Sequence, residues 1–204
     1  MNENYLGFYF GRFQPFSVKH LEIVQKILFE NPKIKLSVGV ADWTGDLDRN
    51  NFLKGWEAAN IVKFSLEDFN LADRVSVLEV KLPPDLTLEQ SISAFLNNFP
   101  KDNISVFSGS EKTLNALHLL KLQKYPFLEI VDLKDDDITP PRSREIRDSL
   151  LKGTDDWQSM VTSSVVEYLY SFQERLRLLP EGQEKRLWRS ELEEEFNHLG
   201  LERR

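Results

Sequence analysis

The chain has 204 residues, 41% of them apolar and 29% charged, a formal net charge of −7 and no cysteine. That supports one globular domain with a sizeable core and room for an appendage, and it excludes disulfides and thiolate metal sites. The negative charge argues against a nucleic-acid partner, no apolar run reaches the ~18 residues of a membrane span, and no secretory leader pattern is present, so the cytoplasm is the expected compartment.

Residues 5–10 form a nearly continuous apolar run, which predicts a strand buried on both faces of a parallel sheet. Gly11 to Phe16 reads Gly-Arg-Phe-Gln-Pro-Phe, a stiff loop that can bring backbone close to a ligand. Val18, Leu21, Val24, Ile27 and Leu28 then recur at helical spacing until Asn31-Pro32. Residues 34–41 predict a second strand ending in a polar loop that holds Trp43, at the edge where an α/β sheet places ligand contacts. Asn50 or Asn51 is the expected cap of a helix carrying Trp56, Ala59, Ile61, Val62 and Phe64.

Residues 75–80 predict a third strand, and Thr87-Leu88-Glu89-Gln90 has the form of a capping box opening a helix. Residues 104–107 predict a fourth strand, followed by Ser108-Gly109-Ser110 and a helix containing Leu114, Leu117, His118 and Leu120. Residues 127–131 predict a fifth. An acidic run, residues 132–137, leads through Pro140-Pro141 to Arg142-Ser143-Arg144-Glu145-Ile146-Arg147. About five strands alternating with helices predict a doubly wound, Rossmann-like parallel α/β sheet with helices on both faces.

Two of these turns concentrate chemistry. Arg12, Gln14, Ser17, Lys19 and His20 crowd one strand-to-helix turn, where free helix N–H groups and the dipole favour an anion. Arg142, Arg144 and Arg147 begin a later helix, where cations oppose the dipole unless a bound anion compensates them. His118, on an otherwise apolar helix, reads as structural. The acidic run Asp135-Asp136-Asp137 lacks metal-ligand spacing and reads as a solvated face, so no protein metal site is expected.

At these residues the chain resembles the nucleotidylyltransferase superfamily, most closely the archaeal-type nicotinamide mononucleotide adenylyltransferases, whose signature is Gly-Arg-Phe-Gln-Pro-Phe-His-x-Gly-His. Gly11 to Phe16 and His20 match, whereas Ser17 stands in place of the first histidine and Lys19 in place of the glycine. A later Ser-Gly-Thr-x-Ile-Arg box aligns with residues 142–147, keeping Ile146 and Arg147. The resemblance implies catalytic roles for Arg12, His20 and Arg147. It implies nucleotide contacts from Gly11, Phe13, Gln14, Ser17, Lys19, Arg142, Ser143 and Arg144, and an acceptor pocket at Trp43, Ser108 and Gly109.

The implied reaction joins ATP and nicotinamide mononucleotide to give NAD and pyrophosphate, with Mg²⁺ carried in by ATP. The altered His-x-Gly-His box leaves open a second reading, a catalytically degenerate nucleotide-binding homologue with a regulatory or scaffold role. Residues 1–172 form the expected nucleotidylyltransferase-like domain and residues 173–204 a helical extension. In that extension Leu187, Trp188, Leu192 and Phe196 share one helix side, which calls for burial against the domain, a second copy or a partner protein.

Overall fold

A strand buried on both faces must send apolar side chains alternately to two cores, and the central strand of this protein does so with aromatic rings. The computed structural model describes residues 5–43, 46–83, 85–99, 104–133 and 143–180. In it β1 (Leu6–Gly11) turns Phe8 into one core and Tyr9 into the other. Beside β1 lie β2 (Lys35–Trp43) and then β3 (Val75–Leu82). On its other side lie β4 (Ile104–Ser108) and then β5 (Glu129–Asp132), so the order is β3-β2-β1-β4-β5 and every pairing is parallel.

On the Tyr9 face, α1 (Val18–Glu30) and α2 (Gly55–Asp68) pack Leu21, Val24, Ile61 and Val62 with Leu36, Val38 and Val40 of β2. On the Phe8 face, α3 (Leu88–Leu96) and α4 (Glu111–Gln123) bring Ile92, Leu96, Leu117 and Leu120. The sheet thus grows outward with helices on one face, crosses back beyond β1, and grows the other way with helices on the second face. This is the doubly wound, Rossmann-like arrangement expected from the alternation of elements. The chain then returns to the Tyr9 face with α5 (Ser143–Lys152), a 3-10 turn at Asp156–Met160, α6 (Ser163–Tyr170) and α7 (Gln173–Leu178). Ile146, Trp157, Val165, Leu169 and Leu176 are fully buried there.

The capping box at Thr87 forms as expected, with Gln90 N–H donating to the threonine hydroxyl at 3.2 Å and Thr87 N–H to Gln90 Oε1 at 2.9 Å. Several boundaries differ from expectation. β2 continues through Trp43, because it keeps pairing with β3 as far as Leu82. α2 is capped at Lys54, not at Asn50 or Asn51, whose amides instead both donate to Asp48 Oδ1, at 2.7 and 2.8 Å, and so are committed to a turn. Trp56 lies off the apolar side of α2 and is 50% exposed, since its i+4 and i+7 neighbours are Asn60 and Lys63. Phe127 is 73% exposed in the turn before β5, which begins only at Glu129.

Leu176 of α7 is buried in the same core as Tyr9, and Arg49 N–H donates to the Pro180 carbonyl at 3.1 Å. The expected helix beyond residue 182, with Leu187, Trp188, Leu192 and Phe196, lies outside the described residues, as do Arg142 and residues 134–137.

Leu176→Ala should lower the unfolding free energy by about 2–5 kcal/mol in urea denaturation, the cost of a large-to-small change in a closed core. Leu178→Ala, at a side chain 80% exposed on the same short helix, should change it by less than about 0.5 kcal/mol.

Candidate functional site

In a sheet of this kind a crevice opens beyond the carboxyl ends of the strands where the strand order reverses, and here that point lies between β1 and β4. β1 ends at Gly11, residues 12–17 form the turn, and α1 begins at Val18. Phe13 is held in the left-handed region at φ 47°, and its ring folds back so that a Cβ on Gly11 would meet it at 2.5 Å. A glycine is therefore required at 11. The ring itself is buried, edge-on to Tyr9, Phe16 and His20, so Phe13 shapes the turn from within the core.

The rest of the turn is held from two sides. The buried Gln14 amide donates through Nε2 to the Leu53 carbonyl and accepts from Leu53 N–H through Oε1, both at 2.9 Å, as a strand neighbour would. Both ends of that side chain are spent on protein. From the other side, α5 supplies Ser143 Oγ, donating to the Pro15 carbonyl at 2.9 Å, and Arg147 Nη1, donating to the Gln14 carbonyl at 2.6 Å. The two residues are one helical turn apart, so one face of α5 grips successive carbonyls of the turn. The Gln14–Pro15 peptide is cis.

At the helix start, Ser17 N–H donates to His20 Nδ1 at 3.0 Å, with Ser17 Oγ at 2.9 Å from the same nitrogen. Phe16 stacks on the imidazole, and burial pushes its pKa down to about 3. His20 is therefore neutral, and because Nδ1 accepts from Ser17 the ring proton resides on Nε2, a donor in a fixed orientation. Ser17, which stands where the resemblance places a histidine, is the N-cap that orients His20. Lys19 is bound by Glu22, with Nζ–carboxylate distances of 2.7 and 3.0 Å, and stays exposed on α1.

The charge sits in arginines. Arg147 is largely buried, and its pKa is lowered first by that burial and then by the positive charges of Arg12 and Arg144, with Asp148 and Asp48 opposing. Arg12 Nη1 donates to Asn51 Oδ1 at 3.3 Å, and Asn51 is tied to Asp48. Arg144 is 85% exposed and only loosely paired, at 3.9 Å, with Asp148. Arg12, Arg144 and Arg147 thus crowd one turn beside the amino end of α1. A turn built this way can hold an anion: guanidinium forks, helix N–H groups and a neutral imidazole donor all face negative charge favourably.

Ser108 and Gly109 stand at the end of β4, across the switch point. Ser108 is buried, its Oγ accepting from Ser110 N–H at 3.1 Å, while Gly109 is exposed and a Cβ there would only touch Leu133, at 3.8 Å. Trp43 ends β2 at the same carboxyl edge of the sheet. Sequence reading missed Asp48, Leu53 and Glu57, which frame the turn, and Asp42, whose Oδ1 accepts from Gly55 N–H at 2.9 Å where any Cβ on residue 55 would collide. The glycine directly before a helical run was the available signal. Among the described residues no group of three His, Cys, Asp or Glu side chains could hold a metal, and no helix is long and apolar enough to cross a membrane.

A group whose folded pKa is depressed gives stability that is lost as pH falls, because the unfolded chain binds the proton more readily. For His20 the window runs from the usual 6.5 down to about 3. His20→Asn keeps an acceptor for Ser17 N–H and removes the titration. It should flatten the loss of stability with acid by about 1 kcal/mol per pH unit within that window, as read by urea denaturation at a series of pH values.

No protein-family model matches the chain. Among solved structures it is similar to a bifunctional NMN adenylyltransferase/ADP ribose pyrophosphatase from Francisella tularensis, with a TM-score of 0.66 and 13% identity over 98% of this chain. The chain spans 57% of that protein's length. It is also similar to a putative nicotinate-nucleotide adenylyltransferase from Vibrio parahaemolyticus, with a TM-score of 0.58 and 16% identity over 88% of this chain and 99% of the other. A third likeness is to Plasmodium falciparum nicotinic acid mononucleotide adenylyltransferase complexed with NaAD, with a TM-score of 0.59 and 15% identity over 85% of this chain and 98% of that one. At these identities the likeness establishes that the chain has the fold of the pyridine-nucleotide adenylyltransferases.

Proposed function

We propose that the protein is a nucleotidylyltransferase that joins ATP to nicotinamide mononucleotide, releasing pyrophosphate and forming NAD. The observation that carries this reading is the gathering of Arg12, Arg144 and Arg147 around a turn locked at the switch point of the sheet. A chain of net charge −7 that collects guanidinium groups at one crevice is built for an anion there. Arg12, His20 and Arg147 are the proposed catalytic groups. Gly11, the amides of the turn and α1, Arg142, Ser143 and Arg144 complete the nucleotide side, and Trp43, Ser108 and Gly109 form the acceptor side. The likeness in fold to adenylyltransferases named for nicotinamide or nicotinate mononucleotide supports a pyridine mononucleotide as the acceptor.

The reaction needs no protein nucleophile. A phosphate oxygen of the mononucleotide attacks the α-phosphorus of ATP, a new P–O bond forms, the bond between the α-phosphorus and its bridging oxygen breaks, and pyrophosphate leaves with that electron pair. The protein's task is to align two anions and stabilise charge on the transferring and leaving groups. Arg147 has one nitrogen on the Gln14 carbonyl, which fixes the guanidinium while its other donors remain for phosphate. His20 donates through Nε2–H without adding charge. Mg²⁺ fits as a cation held by the phosphates and waters, since it is ordinarily bound through few protein ligands, and it would supply charge neutralisation.

Lys19 is engaged by Glu22 and so need not lie across the turn, which favours a working site over one blocked at the altered box. Incubating the protein with ATP, Mg²⁺ and nicotinamide mononucleotide should yield NAD. Nucleotide binding without turnover would instead establish the degenerate, regulatory reading.

Arg147→Ala should weaken ATP binding by calorimetry and lower turnover on the order of 10²-fold, as expected for one lost phosphate donor; unchanged affinity in a folded variant would refute the placement of ATP at this turn. Ser17→His with Lys19→Gly should lower turnover, because it removes the buried Ser17 hydroxyl that lies 2.9 Å from His20 Nδ1 and puts a bulkier ring in its place. A rise in turnover would mean that the box is damaged and not adapted.

A further inference from the structure

The turn is set against a wall, and the wall is fastened from behind. Gln14 is gripped by Leu53 and Arg12 reaches Asn51, so residues 48–54 fix two of the turn's side chains. Lys54 N–H, at the end of that segment, donates to Glu57 Oε2 at 2.8 Å. Glu57 is a carboxylate only 2% exposed in the first turn of α2. Both of its oxygens face Arg175 Nη1 of α7, at 2.7 and 2.8 Å, and the Arg175 guanidinium lies 4.7 Å from the centre of the Phe172 ring. A buried carboxylate deprived of its counter-ion is strongly destabilised, so this pair binds α7 to the start of α2 far more firmly than a surface pair would.

We propose that Arg175 is a positioning residue for the nucleotide site: through Glu57 it holds the start of α2 and residues 48–54, and through Asn51 and Leu53 those hold Arg12 and Gln14 in the turn. The inference rests on the nucleotide reading of the turn. Its path is contiguous, from Arg175 to Glu57 to Lys54, then through Leu53 and Asn51 to Gln14 and Arg12. Among the described residues Arg175 makes no hydrogen bond or ion pair with the turn or with Arg12, Arg144 or Arg147, and it acts through this chain of contacts.

The test uses the full chain and two variants. Arg175→Met keeps packing over Phe172 and removes the charge, whereas Arg175→Lys can restore the pair, because a single nitrogen makes both contacts with Glu57. Arg175→Met should speed amide hydrogen exchange at residues 50–55 about tenfold more than at β1 and β4, and weaken ATP binding about tenfold by calorimetry. Arg175→Lys should recover both. Exchange that rises equally in β1 and β4 would make Arg175 an ordinary stabilising residue and overturn the proposal, as would unchanged exchange at residues 50–55. Local loosening with unchanged ATP affinity would overturn it as well. If the wild-type protein binds no ATP, the nucleotide reading fails by itself, and local exchange in Arg175→Met with recovery in Arg175→Lys still decides whether Arg175 holds the turn.

Discussion

The bidentate pairing of the Gln14 amide with the Leu53 backbone is the interaction on which this site depends. A turn that leaves a parallel sheet has no ladder to satisfy its polar groups, and buried backbone must find partners elsewhere. Here the partners come from three later parts of the chain: Leu53 on one side, Ser143 and Arg147 of α5 on the other, and His20 within α1. Side chains do the work of a strand neighbour. The turn is thereby fixed from within, with Phe13 to Ser17 buried and Arg12 exposed at its edge.

This arrangement explains which parts of the molecule were legible in the sequence. The strands and helices follow from local pattern: the apolar run of β1, helical spacing in α1 and the capping box of α3 are each written within about a dozen residues. The anion character of the turn was legible for the same reason, since Arg12 and His20 lie within ten positions of Gly11. What joins the turn to the rest was not legible. Gln14 and Leu53 are 39 positions apart, Gln14 and Arg147 are 133, and Glu57 and Arg175 are 118. Nothing in the pattern around Leu53 marks its backbone as a partner, and nothing around Glu57 marks it as buried. The sequence also read Gln14 and Phe13 as ligand contacts, because polar and aromatic residues in a turn look alike whether they face outward or hold the turn together.

Ser17 shows how the backbone at the helix start can orient a neighbouring side chain. As N-cap it presents its N–H to His20 Nδ1, which fixes the tautomer, while stacking on Phe16 fixes the plane. That bond comes from the backbone of residue 17, so the hydrogen-bond direction of the imidazole does not depend on which side chain stands there. Lys19 adds a charge whose partner, Glu22, lies one turn away on the same helix, so the substitution is neutralised locally.

The arginines make the final link between fold and chemistry. Three guanidinium groups near one another repel, and the lowered pKa of Arg147 records that cost together with the cost of burial. A fold tolerates such crowding when the surrounding structure over-determines it, and here α5 is anchored through Ile146 and Leu150 in the core while its polar face holds the turn. Asp148 and Asp48 offset part of that repulsion, and a bound anion would offset more of it. In the proposed reaction the negative charge on the nucleotide's phosphates is what completes the electrostatics of the turn. For that chemistry, alignment matters more than any one acid or base.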